Sequence, residues 1–235
     1  MTTDLVSLPM TDETLSAAVD ELVRRDSDLA GIVERHGRPP LWARPPGFAT
    51  LTFLILEQQV SLASARAAFE RLQSATGMVM PETFLRLDDA ELLGIGFSRQ
   101  KARYVRGLAQ ALLVGEVDLD ALGTLPDEQA GDLLQGLAGI GPWTSDCYLL
   151  LALGRPDVWP ATDLALVSSV QRIKRLDRRP RPDALTAMAE PWRPWRSVAT
   201  RLFWHDYLSR RGRRDAGPDL LAATPSSLID ARLDS

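Results

Sequence analysis

LAGIGPWTSDCYLLLALGRPDVWPATDLAL, residues 137–166, reads as a tight hairpin, an apolar helix, a loop and a carboxylate at the start of another helix. Gly139, Ile140 and Gly141 place two residues without Cβ around one apolar anchor. The backbone there can turn sharply and approach a ligand while Ile140 plugs the core. Pro142 suits a first helical turn, where its missing N–H costs nothing. The amides left unpaired at such a start carry partial positive charge and form a receptor for an anion such as phosphate.

The spacing predicts a helix over 144–153, ended by Gly154 and Pro156, and a further helix from about Leu164. Helix, hairpin and helix together, about 132–153, make a helix-hairpin-helix motif. Asp163 then stands at a helix N-terminus, with two readings open. It is an N-cap, worth about 1 kcal/mol, or a carboxylate with chemistry to perform.

The remaining segments repeat the helical period. Leu15, Ala18, Val19, Leu22 and Val23 predict an amphipathic helix over 11–25 with Thr11 or Asp12 as cap. A second runs over 28–36 and stops at Gly37-Arg38-Pro39-Pro40, where His36 has no evident partner. The longest apolar region, 48–72, is interrupted by Glu57-Gln58-Gln59, and Gln58 is expected to hydrogen-bond the backbone of neighbouring helices. Asp88 opens a short helix to Gly94-Ile95-Gly96, Ser98 caps 99–113, Pro126 and Asp127 start the helix that enters the hairpin, and further helices cover 182–189 and 196–208. Gly, Pro and charged residues punctuate these segments without β-branched alternation, so the chain is expected to be all-α.

With 235 residues, 45% of them hydrophobic, the chain can bury a substantial core. Its single cysteine, Cys147, cannot form an internal disulfide and is expected to pack in a helix, which fits a reducing cytoplasm. No uninterrupted run of about 18 apolar residues is present, so no membrane span is expected. Two histidines and one cysteine support neither a zinc site nor a Cys-His pair. A net charge of −4 weighs against a nucleic-acid binder, but its distribution weighs the other way. Arginines and lysines concentrate at 99–106, 172–181 and 210–214, and acids at the N-terminus and 118–132, so one face could hold DNA while another repels it.

The hairpin, Trp143-Thr144 and an Asp after a Pro some twenty residues later resemble the helix-hairpin-helix (HhH-GPD) DNA glycosylases, and within them the 3-methyladenine DNA glycosylase II branch of alkylation repair. The resemblance spans roughly residues 29–208. It includes Ile55-Leu56-Glu57-Gln58-Gln59-Val60-Ser61, Gly94-Ile95-Gly96 with Ser98 to Ala102, and Pro194-Trp195-Arg196-Ser197 with Trp204. It implies a two-lobed helical fold, with 1–49 plus 155–211 as one lobe, 50–154 as the other, and 212–235 a loose tail. It implies a monomer that binds damaged double-stranded DNA through Gly139, Ile140, Gly141 and Thr144, with Gln59 as the wedge that fills the gap left by an extruded base.

The resemblance assigns catalysis to Asp163 and an aromatic base pocket to Trp143 and Trp204, with no cofactor and no metal. Trp159 and Trp192 are expected to be core. Bifunctional relatives place a Schiff-base lysine where Trp143 stands, and the endonuclease III branch holds an iron–sulfur cluster with four cysteines. This chain has neither. A monofunctional enzyme that hydrolyses the bond to an alkylated base and leaves an abasic site is therefore implied. A non-catalytic DNA-binding module and a glycosylase for deaminated bases are the alternatives. Cysteine at 147, a position often aromatic in relatives, and leucine at 164 imply a wider or less aromatic pocket.

Overall fold

The computed structural model describes residues 8–211, and every regular element in them is helical. The N-terminal segment supplies α1 (Asp12–Arg25) and α2 (Ser27–His36). The middle supplies α3 (Phe48–Glu57), α4 (Leu62–Thr76), α5 (Pro81–Phe84), α6 (Asp89–Ile95), α7 (Arg99–Leu113), α8 (Asp127–Gln135) and α9 (Pro142–Leu151). The last part supplies α10 (Leu164–Ile173), α11 (Pro182–Ala189) and α12 (Arg196–Arg210). The tail expected over 212–235 lies outside the described residues. Among the described residues no helix is long and apolar enough to cross a membrane.

Side-chain caps set many of these starts. The Thr11 hydroxyl accepts from the Thr14 amide, Asp26 from Asp28 and Leu29, Ser61 from Ser64, Asp88 from Glu91 and Ser98 from Lys101. Each satisfies an amide that the helix itself leaves unpaired. The apolar region expected as 48–72 is two helices joined by residues 58–61, because the Lys101 ammonium donates to the carbonyls of Leu56 and Gln58 (2.7 and 2.8 Å) and closes α3 there. Helix α9 begins at Pro142, which takes the first-turn place its residue type suits, and ends at Leu151, two residues before the expected Leu153. The Leu153 and Arg155 amides fold back to the carbonyls of Tyr148 and Leu149, with Gly154 between them in the left-handed region.

Buried side chains fall into two clusters. One gathers α3 to α9 around Phe53, Phe69, Phe84, Phe97 and Tyr148. The other gathers α1, α2, α10, α11 and α12 around Leu22, Ile32, Trp192 and Phe203, and takes in Trp159. Trp204 packs against both, as a side chain at their seam must.

Arg201 ties the seam from within. It is completely buried, and its guanidinium donates to the carbonyls of Leu41, Ser197 and Leu150 at 2.8, 3.1 and 2.9 Å. Each acceptor comes from a different segment, and each would lose its partner if the guanidinium were removed. A buried polar group left unpaired costs about 1–3 kcal/mol. Arg201→Met, which keeps most of the volume, should therefore lower the thermal midpoint by at least about 6 °C at ~2–4 °C per kcal/mol. A midpoint within ~2 °C of the parent in a thermal melt would show that the three carbonyls find other partners.

Candidate active site

Asp163 is both an N-cap and the acceptor of two indoles. Its Oδ1 accepts from the Leu166 amide at 2.7 Å and from Trp204 Nε1 at 2.9 Å, and its Oδ2 accepts from Trp143 Nε1 at 2.8 Å. The two readings left open by the sequence are thus met by one side chain. A carboxylate offers about four acceptor positions, and three are filled, which leaves a position on Oδ2. Asp163 is half-buried, while its neighbour Leu164 is 73% exposed. The carboxylate therefore sits at an opening, fixed from behind by donors on α9, α10 and α12.

Trp42 completes this aromatic group. Its ring lies 6.5 Å from that of Trp204 and 6.2 Å from that of His205. The segment before α3 is anchored by Arg44, whose guanidinium makes a bidentate pair with Glu57 (2.8 and 3.0 Å) and lies 4.7 Å from the Phe53 ring centroid. Sequence reasoning passed over Trp42 because its segment, RPPLWARPPG, has no helical period. Its backbone φ of 51° is a conformation that a tryptophan's residue type does not announce. The one available signal was a large aromatic between two proline pairs.

His36 does have partners. Its Nε2 lies 3.2 Å from Asp206 Oδ1, and its carbonyl accepts from His205 Nε2 at 2.9 Å. The expectation failed because both partners lie some 170 positions away along the chain.

The hairpin is built around Gly139. Its φ is +90°, and a Cβ there would fall 2.3 Å from Tyr104 Cγ, so no other residue fits without displacing the ring. Gln58 Nε2 donates to the Gly139 carbonyl and to the Thr144 hydroxyl, both at 2.9 Å, which clamps the turn to the end of α3. The expected bond from Gln58 to a neighbouring backbone is this one.

Ile140 is buried, and its side chain serves the core. Thr144 is also buried, at 1% exposure, with its hydroxyl facing inward to Gln58. Gly141 is exposed, with ordinary φ, and a methyl group added to it would meet no heavy atom within 4 Å. Gln59, with φ of 58°, is exposed on the loop that Gln58 and Lys101 hold in place.

Asp146 lies one turn beyond Trp143 on α9 and is half-buried. Burial pushes its carboxyl up to about 7, against a smaller opposing pull from Arg196. Cys147, next along, is fully buried and unpaired, and burial pushes its thiol well up.

The family is now evident from this architecture and is matched independently. The model of the HhH-GPD superfamily of base excision DNA repair proteins matches residues 53–194, and the chain belongs to that family. A Bacillus subtilis protein provisionally named as a DNA-3-methyladenine glycosylase, YfjP, is 31% identical over 76% of this chain, which spans 65% of that protein's length. A second B. subtilis protein, named DNA-3-methyladenine glycosylase, is 29% identical over 82% of this chain and 72% of its own. The solved structure of the Schizosaccharomyces pombe 3-methyladenine DNA glycosylase Mag1 in complex with abasic DNA superimposes with a TM-score of 0.76. Its sequence is 25% identical, over 83% of this chain and 97% of that one.

Two outcomes follow from this geometry. Gly141→Ala should fold as the parent does yet bind all duplexes about equally less well, since phosphate contacts position a protein without reading sequence. Gly139→Ala should instead lose stability through the Tyr104 clash. Anisotropy titrations and thermal melts check both, and parental affinity in Gly141→Ala would contradict the phosphate-receiving turn.

Asp146 supplies a pH test. Its folded value lies above the unfolded one, so the folded state keeps the proton between about 4 and 7. Ionisation in that window favours the unfolded chain, and stability falls as pH rises through it. Asp146→Asn should therefore gain stability over the parent at pH 8 and much less at pH 4.5. Equal differences in midpoint at the two pH values would contradict this.

Proposed function

We propose that the chain is a monofunctional DNA glycosylase that extrudes an alkylated, 3-methyladenine-type base from duplex DNA and hydrolyses its bond to deoxyribose. It acts as a monomer in the cytoplasm, with the base held where the N- and C-terminal helices meet the middle ones, and leaves an abasic site. The observation that carries this reading is the carboxylate of Asp163 held on both oxygens by the indoles of Trp143 and Trp204. The names of the relatives point to the same substrate class.

The chemistry follows from the charge. An enzyme acting on a base inside a duplex must first take it out of the stack. Departure of the base leaves an oxocarbenium-like sugar, and a fixed carboxylate beside it stabilises that charge without reorganising. The unfilled position on Asp163 Oδ2 suits a hydrogen bond from the attacking water. Glycoside hydrolysis usually needs a second carboxyl to protonate the leaving group. An N-alkylated purine already bears positive charge and leaves unaided, so one aspartate is sufficient for it.

The indoles also select. Their N–H edges point at Asp163, and both rings stay only partly buried beside it. A cationic base over an indole face gains about 0.5–2 kcal/mol. Trp42 adds a third ring to the same group. Gln59 is the side chain we assign to the emptied position in the duplex, and the hairpin at Gly139, Ile140, Gly141 and Thr144 to the phosphates beyond it.

The monofunctional assignment rests on where the amines are. Lys101 and Lys174 are the only lysines of the chain. Lys101 is engaged with the two carbonyls that end α3, and Lys174 with the carboxylates of Asp26 and Asp28. Neither contacts Asp163.

Asp163→Asn should lower single-turnover release of base from methylated DNA by at least about 10²-fold while binding abasic duplex as well as the parent or more tightly, because size is kept and charge is lost. Borohydride should trap no covalent adduct with the parent. Parental turnover in the mutant would reduce Asp163 to a cap. Release confined to uracil- or hypoxanthine-containing DNA would transfer the activity to deaminated bases.

A further inference from the structure

Beyond Asp163, α10 and α12 carry a feature that neither the hairpin nor the carboxylate uses. The chain has a net charge of −4, yet arginines line two adjoining recesses on one face. The first, about 280 Å³, is lined by Ser168, Arg172, Asp206, Tyr207, Arg210 and Arg211 among others. The second, about 400 Å³, shares Arg172 and adds Arg35 and Arg175 beside Asp28. The two recesses meet at Arg172 and together present five guanidiniums, a pair referred to below as the arginine groove.

Its floor is rigid and its carboxylates are already engaged. Asp206 is completely buried, takes the Ser169 hydroxyl at 2.9 Å and His36 at 3.2 Å, and is bonded by Arg172. Asp28 is held by Lys174 at 2.9 Å. The Arg211 guanidinium lies 4.4 Å from the centroid of the Tyr207 ring, which fixes its place on the wall. Among the described residues, Arg35, Arg175, Arg210 and Arg211 form no ion pair within 4.0 Å. Positive charge is left over, in side chains whose planar fork matches phosphate oxygens two at a time.

The recesses lie along the same two helices that carry the site. Leu164, Ser168, Arg172 and Arg175 follow one another at helical spacing along α10 and just past its end, starting beside Asp163. On α12, Trp204, Tyr207 and Arg211 do the same. At a rise of ~1.5 Å per residue, Arg172 lies about 13 Å along the helix from Asp163, roughly four base-pair steps of ~3.4 Å.

We propose that this arginine groove binds the phosphodiester backbone of the DNA several nucleotides from the extruded base, as a second anchor besides the hairpin. The inference deepens the glycosylase reading of the Asp163 site and rests on it. The groove grips phosphate and does not read bases, since guanidiniums and hydroxyls line it and one ring, Tyr207, is already covered by Arg211.

The test uses the full chain with Arg210→Ala/Arg211→Ala and, separately, Arg35→Ala/Arg175→Ala; Arg172 is left intact because Asp206 depends on it. Binding to undamaged and abasic-analogue duplexes is titrated between 50 and 200 mM salt, on about 20 base pairs. Each double variant should bind about 10-fold more weakly at intermediate salt, with a log–log salt slope shallower by about 1–2. The corresponding double lysine variants should recover most of the loss. Arg24→Ala/Arg86→Ala, which removes equal charge outside the groove, should bind like the parent.

Duplexes truncated to end at the lesion, on one side or the other, locate the contact. The difference between parent and groove variants should vanish for one truncation and persist for the other. Parental affinity and slope in the groove variants, or an equal loss in Arg24→Ala/Arg86→Ala, would overturn the proposal. Base release from methylated DNA, measured on the same preparations, separates the two readings. Release by the parent with groove-indifferent binding sinks the groove alone, and groove-dependent binding without release sinks the glycosylase reading alone.

Discussion

Two indole N–H groups and one backbone amide converge on the carboxylate of Asp163, and the rest of the molecule can be understood as the means of bringing them there. The donors come from α9, α10 and α12, whose sequence positions are 20 and 41 residues from the aspartate for the two indoles. None of the three helices could present its donor alone. Helix α9 is placed by the hairpin, α10 by the cap that Asp163 itself provides, and α12 by the buried guanidinium of Arg201 on three carbonyls. Hydrogen bonds to a charged acceptor contribute about 1.5–3 kcal/mol each, so the same contacts that orient the carboxylate also hold the seam between the two core clusters together.

The hairpin shows the same economy of parts. Gly139 is required because Tyr104 occupies the space a side chain would need. Gln58 then ties the Gly139 carbonyl to the end of α3, and Lys101 closes that helix on its two last free carbonyls. The exposed Gln59 is thereby carried on a loop fixed at both ends. For an acidic protein to grip a polyanion the attraction must be supplied locally, which is the role proposed for the hairpin amides and for the arginines between α2, α10 and α12. Asp26, Asp28, Asp157 and Asp206, by contrast, are engaged within the fold.

Much of this was legible in the sequence, for identifiable reasons. Helix starts were visible at the capping side chains of Thr11, Asp88, Ser98 and Asp163, but not at those of Asp26 and Ser61. The core roles of Trp159 and Trp192 followed from the ordinary tendency of indoles to be buried, and that of Ile140 from its place as the apolar anchor between two glycines. What stayed hidden depends on contacts distant in sequence or on backbone conformations without a residue signature. Trp42 sits in an aperiodic stretch with a left-handed φ, and His36 meets Asp206 only through the fold. Thr144, expected among the DNA-binding residues, has its hydroxyl turned inward, since nothing local announces that Gln58 will claim it. The two recesses joined by Arg172 combine residues from three helices, which appear in the sequence only as separate basic runs.

The most direct measurement replaces the indole donors while keeping an aromatic ring in each place. Single-turnover release of base from methylated DNA is compared for the parent, Trp143→Phe, Trp204→Phe and the double variant, at saturating enzyme. Loss of one N–H to the carboxylate should slow release about 10- to 100-fold in each single variant, the equivalent of ~1.4–2.7 kcal/mol. The double variant should lose less than the product of the two, because both donors act on one group. Parental rates in both single variants, with the fold intact by circular dichroism, would contradict the claim that the two indoles position Asp163 for the reaction.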